Sequence, residues 1–455
     1  MPLLPPPPAR ANRLTYDDDL FLRSRRVLGV PLVNQTVWRF PEPLDVARLE
    51  ALHRHLATGR LARVAVRPRV PGARPHWVRS AVSAPLVVDA EPVAGDGVLA
   101  WADDAAGLPL DPVAGPTWAL RAAPSTDGGS VLSYLTSHVV ADGGAHLAAL
   151  SAAARGAQEP RLPAEQAGVP VRRRDDARDA AHQLRRTAHG AATAWRRART
   201  PRPPVEGQVS ADTPPRPPAA GDDTAYVVPT AVVDCAAQDW ERAAAAEGGT
   251  SNSLLVALGV EVLLGLGRAE PGRPVRVAVP VNLRTGPADL RANATAGVSI
   301  AVPTRVDGGV GRVAGLEQIR AATRRELRAR SAGTRHDPLE PWQPLLQMMP
   351  DRAVARLARD QSAPLCLCSN LGELAPDYRA PLGVEPTSVA MRSVTPGATR
   401  GQMRRTRGGV SAWWSRHGER ATLSVVCLDP ELPAERLTPL LLAACARWGV
   451  PATPW

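Results

Sequence analysis

Residues 137–144 read SHVVADGG, placing an imidazole, a carboxylate and two glycines within one short run. The preceding residues, SVLSYLTSH at 130–138, alternate as a strand, so Leu132, Tyr134, Thr136 and His138 share one face and Ser137 points to the other. The strand ends at His138, and Gly143 and Gly144 then permit a tight turn and close approach of the backbone to a ligand. An imidazole at such a place titrates near neutral pH and can accept a proton from an attacking hydroxyl or amine. The spacing is equally open to a strand-end histidine satisfied by backbone, because so short a motif has many chance matches. Asp142 immediately precedes a helical segment that begins GAHLAALSAAAR, so it reads as a helix N-cap or as half of a buried ion pair holding the histidine turn.

No Ser-x-Gly nucleophile elbow, metal-ligand cluster or glycine-rich phosphate loop competes as a chemical centre. The chain contains no lysine, so all 55 basic residues are arginine. That excludes a Schiff-base lysine, a pyridoxal-phosphate anchor and a P-loop, each of which requires one. The five cysteines, Cys235, Cys366, Cys368, Cys427 and Cys445, are odd in number and irregularly spaced, which argues against a disulfide framework. Cys366 and Cys368 alternate along PLCLCSN and point to one strand face; no further ligands follow to make a zinc site, so buried packing is expected.

Length sets the frame for positioning these groups: 455 residues exceed one ordinary core and favour two or three domains. The net charge of +11 is scattered apart from RRR at 172–174 and two RR pairs, and no aromatic interleaving marks a base-stacking surface, so nucleic acid is not an expected partner. A basic face for an acidic carrier protein or a phosphorylated cofactor fits the charge better, as does a merely solvated surface. The longest apolar run, LLVALGVEVLLGLG at 254–267, is interrupted by Glu261 and too short to span a bilayer, so no transmembrane segment is expected. The opening MPLLPPPPAR lacks a charged region followed by an apolar core, and the chain reads as cytoplasmic.

Strands are expected at 34–40, 130–138, 225–233, 275–283, 297–304, 364–368 and within 409–427. Between them, helices are expected over 43–59, from Gly144, near 177–199, from Asp239 to Leu266 in one long stretch, over 314–331 and finally over 433–449. Leu49, Leu52 and Leu56 form the buried face of the first helix, whereas His53 and His55, two apart, cannot share a face and read as solvated. Alternating strands and helices in both halves imply an α/β protein. A flexible tail over 1–13, a first lobe over 14–200, a Pro-rich crossover at 201–222 and a second lobe over 223–455 complete the expected organisation.

SHVVADGG resembles the His-His-x3-Asp-Gly motif of the condensation-domain superfamily, which includes peptide-synthetase condensation domains, wax ester synthase/diacylglycerol acyltransferases and polyketide-associated acyltransferases. Other segments match in family order: LTYDDDLFLR at 14–23, PLDPVAGPTWALR at 109–121, EGGTSNSLLVAL at 247–258 with Ser253 in place of the family's Asp, VPVNLR at 279–284 followed by Asn293, and SNLG at 369–372. The likeness thus runs from about residue 14 to the end. One departure is that Ser137 stands where the family has its first His, while His138 matches the second, catalytic one.

The resemblance implies two chloramphenicol acetyltransferase-like α/β lobes meeting in a V, with His138 near the middle of a central tunnel. It implies an acyltransferase of lipid or natural-product biosynthesis that moves an acyl group from coenzyme A or an acyl carrier protein to a small-molecule alcohol or amine acceptor. His138 would be the general base, acting without a metal or tightly bound cofactor; the thioester, acyl-coenzyme A or acyl-phosphopantetheine, is substrate. Asp142 would turn from the substrate to pair with Arg284, Gly143 would support the turn, and Ser369 or Asn370 would contact the oxyanion or substrate, unless SNLG is only a strand-ending turn. A stand-alone condensation enzyme forming an amide bond, with a peptidyl carrier protein as partner, and a non-catalytic binding member of the fold are the rival readings.

Overall fold

A computed structural model describes residues 12–159, 173–199, 222–286, 288–308, 310–333, 339–358 and 364–455. The crossover expected at 201–222 lies outside the described residues except for Asp222. Of the tail expected over 1–13, Asn12 and Arg13 are described and both are buried, with Arg13 in an ion pair to Asp176 at 2.7 Å.

The first half contributes strands β1 (Val33–Phe40), β2 (Arg63–Val66), β3 (His76–Arg79), β4 (Val87–Val88), β5 (Trp118–Pro124) and β6 (Ser130–Ser137). The second contributes β7 (Thr230–Ala236), β8 (Val275–Asn282), β9 (Thr295–Val302), β10 (Thr304–Asp307), β11 (Val310–Val313), β12 (Cys366–Glu373), β13 (Ser388–Val394), β14 (Val410–His417), β15 (Arg420–Cys427) and β16 (Thr453–Pro454). The helices used below are α1 (Tyr16–Arg23), α2 (Val46–Leu56), α3 (Val98–Ala106), α4 (Gly143–Ala154), α5 (Arg173–Ala198), α6 (Ala237–Ala246), α7 (Ser251–Gly265) and α8 (Leu316–Ser331).

Two sheets carry the molecule. The first has the order β13-β1-β6-β5-β4 and the second β16-β7-β15-β14-β12-β8-β9, with small two-stranded sheets β2-β3 and β10-β11 beside them. β6 is buried at every position because its sheet is covered on both faces. Leu132 and Tyr134 pack with Leu49, Leu52, Leu56 and Leu150 of α2 and α4, while Val131 packs with Val37, Val98 and Ala102 on the α3 side.

β13 joins the first sheet although it comes from the second half. It lies antiparallel to β1, from Val33 opposite Val394 to Arg39 opposite Ser388. Nothing in the sequence reading marks 388–394 as a strand, since the segment SVAMRSV is short and only its distant partner shows what it pairs with.

The helix expected from Asp239 to Leu266 is two helices, α6 and α7, bent by 86°. Gly248 takes φ +63, which favours glycine, and the Thr250 hydroxyl then caps α7 in a reciprocal box with Ser253. Helix α7 is buried all round from Ser253 to Leu264 and is correspondingly apolar apart from Ser253 and Glu261, the latter paired with Arg447 at 2.8 Å. No single helix among the described residues is long and apolar enough to cross a membrane; only the bent α6–α7 pair has the length and composition together.

Two local expectations also change. The strand expected at 225–233 starts only at Thr230, after Pro229, which has no N–H to give a ladder. His53 is half-buried rather than solvated, its Nε2 lying 2.7 Å from the Ala84 carbonyl, whereas His55 is exposed as expected, with its Nδ1 3.0 Å from the Ala153 carbonyl. All five cysteines are buried and unpaired. Cys366 and Cys368 crowd Gly259 of α7, where an added Cβ would come within 2.9 Å of Cys368 Sγ.

Candidate active site

His138 stands one residue beyond β6, where the chain turns through 138–142 into α4. Four successive carbonyls of that turn are each held by a side chain from elsewhere. Asn293 Nδ2 donates to the carbonyls of His138 and Val139 at 3.1 Å each, Arg63 to that of Val140 at 2.9 Å, and Asn34 Nδ2 to that of Ala141 at 2.8 Å. The His138 N–H donates to the Leu32 carbonyl at 2.9 Å. The imidazole is therefore mounted on backbone tied to β1, β2 and the segment before β9, and bonds of this kind remove the freedom that would let it drift.

The ring is partly buried and packs against Phe21 of α1, with centroids 3.9 Å apart. Its Nδ1 is shut off from solvent and has no hydrogen-bond partner among the described residues. Burial lowers the pKa of His138 below the ordinary histidine value, opposed by the Asp142 charge, its own backbone carbonyl and the Asn293 side chain. The imidazole is accordingly neutral at pH 7, with a lone pair available.

Asp142 does both things its position suggested. Its Oδ1 accepts from the Ala145 N–H at 2.9 Å, capping α4, and lies 2.7 Å from Arg284 NH1. Its Oδ2 accepts from the Ala294 N–H at 2.8 Å and the Thr295 hydroxyl at 2.6 Å. Burial would raise this carboxyl, but Arg284 and these donors more than offset it and hold the pKa below the usual carboxylate range. Arg284, just past β8, also donates to the carbonyls of Arg291 and Ala292 at 2.8 and 2.9 Å. The carboxylate thus fastens the histidine turn to the second half.

Gly143 and Gly144 form the first turn of α4, and neither has a positive φ. The close approach happens at Gly144: a Cβ there would sit 2.7 Å from Arg284 NH1, whereas one at Gly143 would meet only Leu371 at 3.6 Å. Leu371 belongs to β12, so the strand bearing Ser369 and Asn370 comes up against the start of α4. Asn370 Oδ1 accepts the Gly372 N–H at 2.8 Å at an irregularity in β12, and among the described residues no hydrogen bond joins Ser369 or Asn370 to His138. Parallel strands β8 and β12 pair only at Val277–Cys366 and Ala278–Leu367; Arg284 lies just past the end of β8, and Asn370 lies within β12, opposite Trp414 of β14.

Three groups beside the histidine carry no role in the sequence reading. Phe21 and Asp18 lie in the quoted segment LTYDDDLFLR, and Asn293 in the quoted run after VPVNLR, so the signal was resemblance without geometry. Asp18 is 1% exposed and its Oδ1 accepts both the backbone and side-chain N–H of Asn293 at 3.0 and 2.9 Å. A second histidine, His146 of α4, lies behind the site between Thr36 and Thr136, 2.9 and 2.8 Å from its ring nitrogens. Full burial lowers its pKa to about 3, which makes it a neutral core group. No group of three or more His, Cys, Asp or Glu among the described residues is placed to hold a metal ion.

This architecture is the mixed α/β fold of condensation domains, the class built from two chloramphenicol acetyltransferase-like lobes. Among solved structures, the chain is similar to the first condensation domain of the calcium-dependent antibiotic synthetase, solved with a substrate analogue (TM-score 0.55, 15% identity, 96% of this chain and 97% of that one). It is likewise similar to polyketide synthase associated protein 5 from Mycobacterium tuberculosis (TM-score 0.52, 16% identity, 96% of this chain and 98% of that one). The starter condensation domain of rhizomide synthetase, in a mutant structure with C8-CoA and Leu-SNAC, gives a TM-score of 0.53 at 12% identity over 96% of this chain and 93% of that one. No protein-family model and no curated protein matches the sequence.

Proposed function

We propose that the chain is an acyltransferase that moves an acyl group from a thioester, on coenzyme A or a carrier protein's pantetheine, to an alcohol or amine in lipid or natural-product biosynthesis. The observation that carries this reading is His138: an imidazole that burial favours in its neutral form, on a turn whose four carbonyls are each bonded, beside the Asp142–Arg284 pair just past β8. Crevices at the carboxyl ends of parallel strands are where α/β sheets bind ligands. The fold shared with condensation domains supports the same reaction class.

The acceptor O–H or N–H gives its proton to His138 Nε2 as the heteroatom attacks the thioester carbonyl. The tetrahedral oxyanion collapses, the C–S bond breaks, and the leaving thiolate takes the proton back from the imidazolium. An ester or amide and a free thiol result, with no covalent acyl-enzyme. Ser369 Oγ or Asn370 Nδ2, in the middle of β12, would donate to the oxyanion, and water exclusion would strengthen that bond. Two lobes in a V around a tunnel would admit thioester and acceptor from opposite mouths.

The test is thiol release from a panel of acyl-coenzyme A and acyl-carrier thioesters, with alcohol and amine acceptors present or absent. Acceptor-dependent release that is lost in His138→Ala supports the reading. No release with any thioester, or unchanged release in His138→Ala, turns the assignment toward a binding member of the fold. A strong preference for carrier-bound donors with amine acceptors would favour the condensation enzyme.

A further inference from the structure

Among the buried polar atoms at the histidine turn without a drawn partner are a complementary two, His138 Nδ1 and Asn293 Oδ1. They belong to residues already joined, since Asn293 Nδ2 donates to the His138 carbonyl at 3.1 Å. The direction in which the carboxamide faces is set independently of the imidazole. Its Nδ2 meets three acceptors, Asp18 Oδ1 at 2.9 Å and the carbonyls of His138 and Val139 at 3.1 Å each, and a flipped carboxamide would set its oxygen against all three. Asp18 holds Asn293 twice, because the same Oδ1 also accepts its backbone N–H at 3.0 Å. A buried acceptor without a donor is costly, and the ring N–H that can serve it is Nδ1–H of His138, for which the residue's own carbonyl is the competing acceptor.

We propose that Asn293 is a positioning residue for His138: its Oδ1 accepts the imidazole Nδ1–H, fixing the neutral tautomer whose Nε2 lone pair faces the acceptor, with Asp18 fixing the carboxamide in turn. The inference rests on the reading of His138 as the base. Bonds of this kind are often long in an unliganded protein and tighten with substrate. The Asn293 side chain also raises the basicity of His138 against the larger effect of burial, as an acceptor facing Nδ1–H does. A neutral carboxamide orients the ring without adding the charge a carboxylate would bring. The carboxylate nearest in sequence, Asp142, is bound instead to Arg284.

Nitrogen-15 NMR of the full chain labelled at histidine reads the tautomer directly, with the His138 signals assigned by their loss in His138→Ala. Wild type is expected to show a protonated Nδ1 and an unprotonated Nε2. In Asn293→Ala the two nitrogens are expected to move toward a mixed average, and kcat to fall about tenfold or more with KM little changed, a share of what a positioned base contributes. Should Asn293→Ala not fold, Asn293→Ser, which leaves a hydroxyl for Asp18, replaces it with the same expectation. A wild-type proton on Nε2, or an unchanged tautomer in a folded variant, overturns the proposal. The spectrum needs no substrate, so a failure of the base assignment, seen as full turnover in His138→Ala, is distinguished from a failure of the Asn293 contact.

Discussion

Replacing Asp142 by alanine removes four acceptor interactions at once: the Ala145 N–H cap, the Ala294 N–H, the Thr295 hydroxyl and the Arg284 guanidinium. The two charged side chains are 3% and 6% exposed, so whichever remains is left charged and largely out of water. Breaking a buried pair from one side costs about 3–5 kcal/mol, against about 1 kcal/mol for losing an exposed N-cap. Asp142→Ala should fall at the top of that range. Arg284→Ala should fall at the bottom, because the carboxylate keeps its three other donors. Each is a large share of a domain's stability of about 5–15 kcal/mol. The assay is urea unfolding of the two single variants and the double variant, with the slope checked so that midpoints report stability. A coupling of about 1–3 kcal/mol is expected for partners in contact. Coupling near zero, or a cost of only about 1 kcal/mol for Asp142→Ala, refutes the argument that this pair fastens the histidine turn to the second half.

Three further outcomes follow from the same geometry. His138→Ala should fold normally, since removing the ring loses chiefly the Phe21 contact and leaves the bonded carbonyls of the turn in place, yet turnover should fall about 10²–10⁴-fold, measured by thiol release with circular dichroism as the control. The acid limb of kcat/KM in a pH–rate profile should lie below the unperturbed histidine value of about 6.5, because burial lowers this pKa and the free base therefore persists to lower pH; a limb above it would contradict the burial described. Gly144→Ala should lower the melting temperature by displacing Arg284, whose NH1 would lie 2.7 Å from the new Cβ, while Gly143→Ala should be milder, with only Leu371 at 3.6 Å to meet.

What the sequence disclosed and what it withheld divide along contact range. The strand before His138, the helix face of Leu49, Leu52 and Leu56, and the helix opening after Asp142 are local patterns, legible from periodicity and capping. The α6–α7 break was written in EGGT but hidden by the apolar residues on either side, which by count alone suggest one helix. β13 could not be read because its partner is more than three hundred residues earlier. The same holds at the site: the donors to the turn's carbonyls come from Asn34, Arg63 and Asn293, and no spacing rule links those positions. Asp142 remained open between cap and ion pair because the sequence shows its helix but not Arg284 beside it; the folded chain uses it as both.

The placement of β13 beside β1 interlocks the halves in a way that bears on how such a chain can be cut or recombined. A first half released from the second would present β1 as a bare sheet edge, carrying Val33, Val37 and Trp38 and every ladder group that 388–394 now satisfies. Its ready complement is the same segment from another molecule, so separated halves are expected to capture each other's strands and form swapped dimers rather than stand as monomers. Chimeras between related chains face the same constraint: a breakpoint between the halves tears a sheet apart unless residues 388–394 travel with residues 33–40.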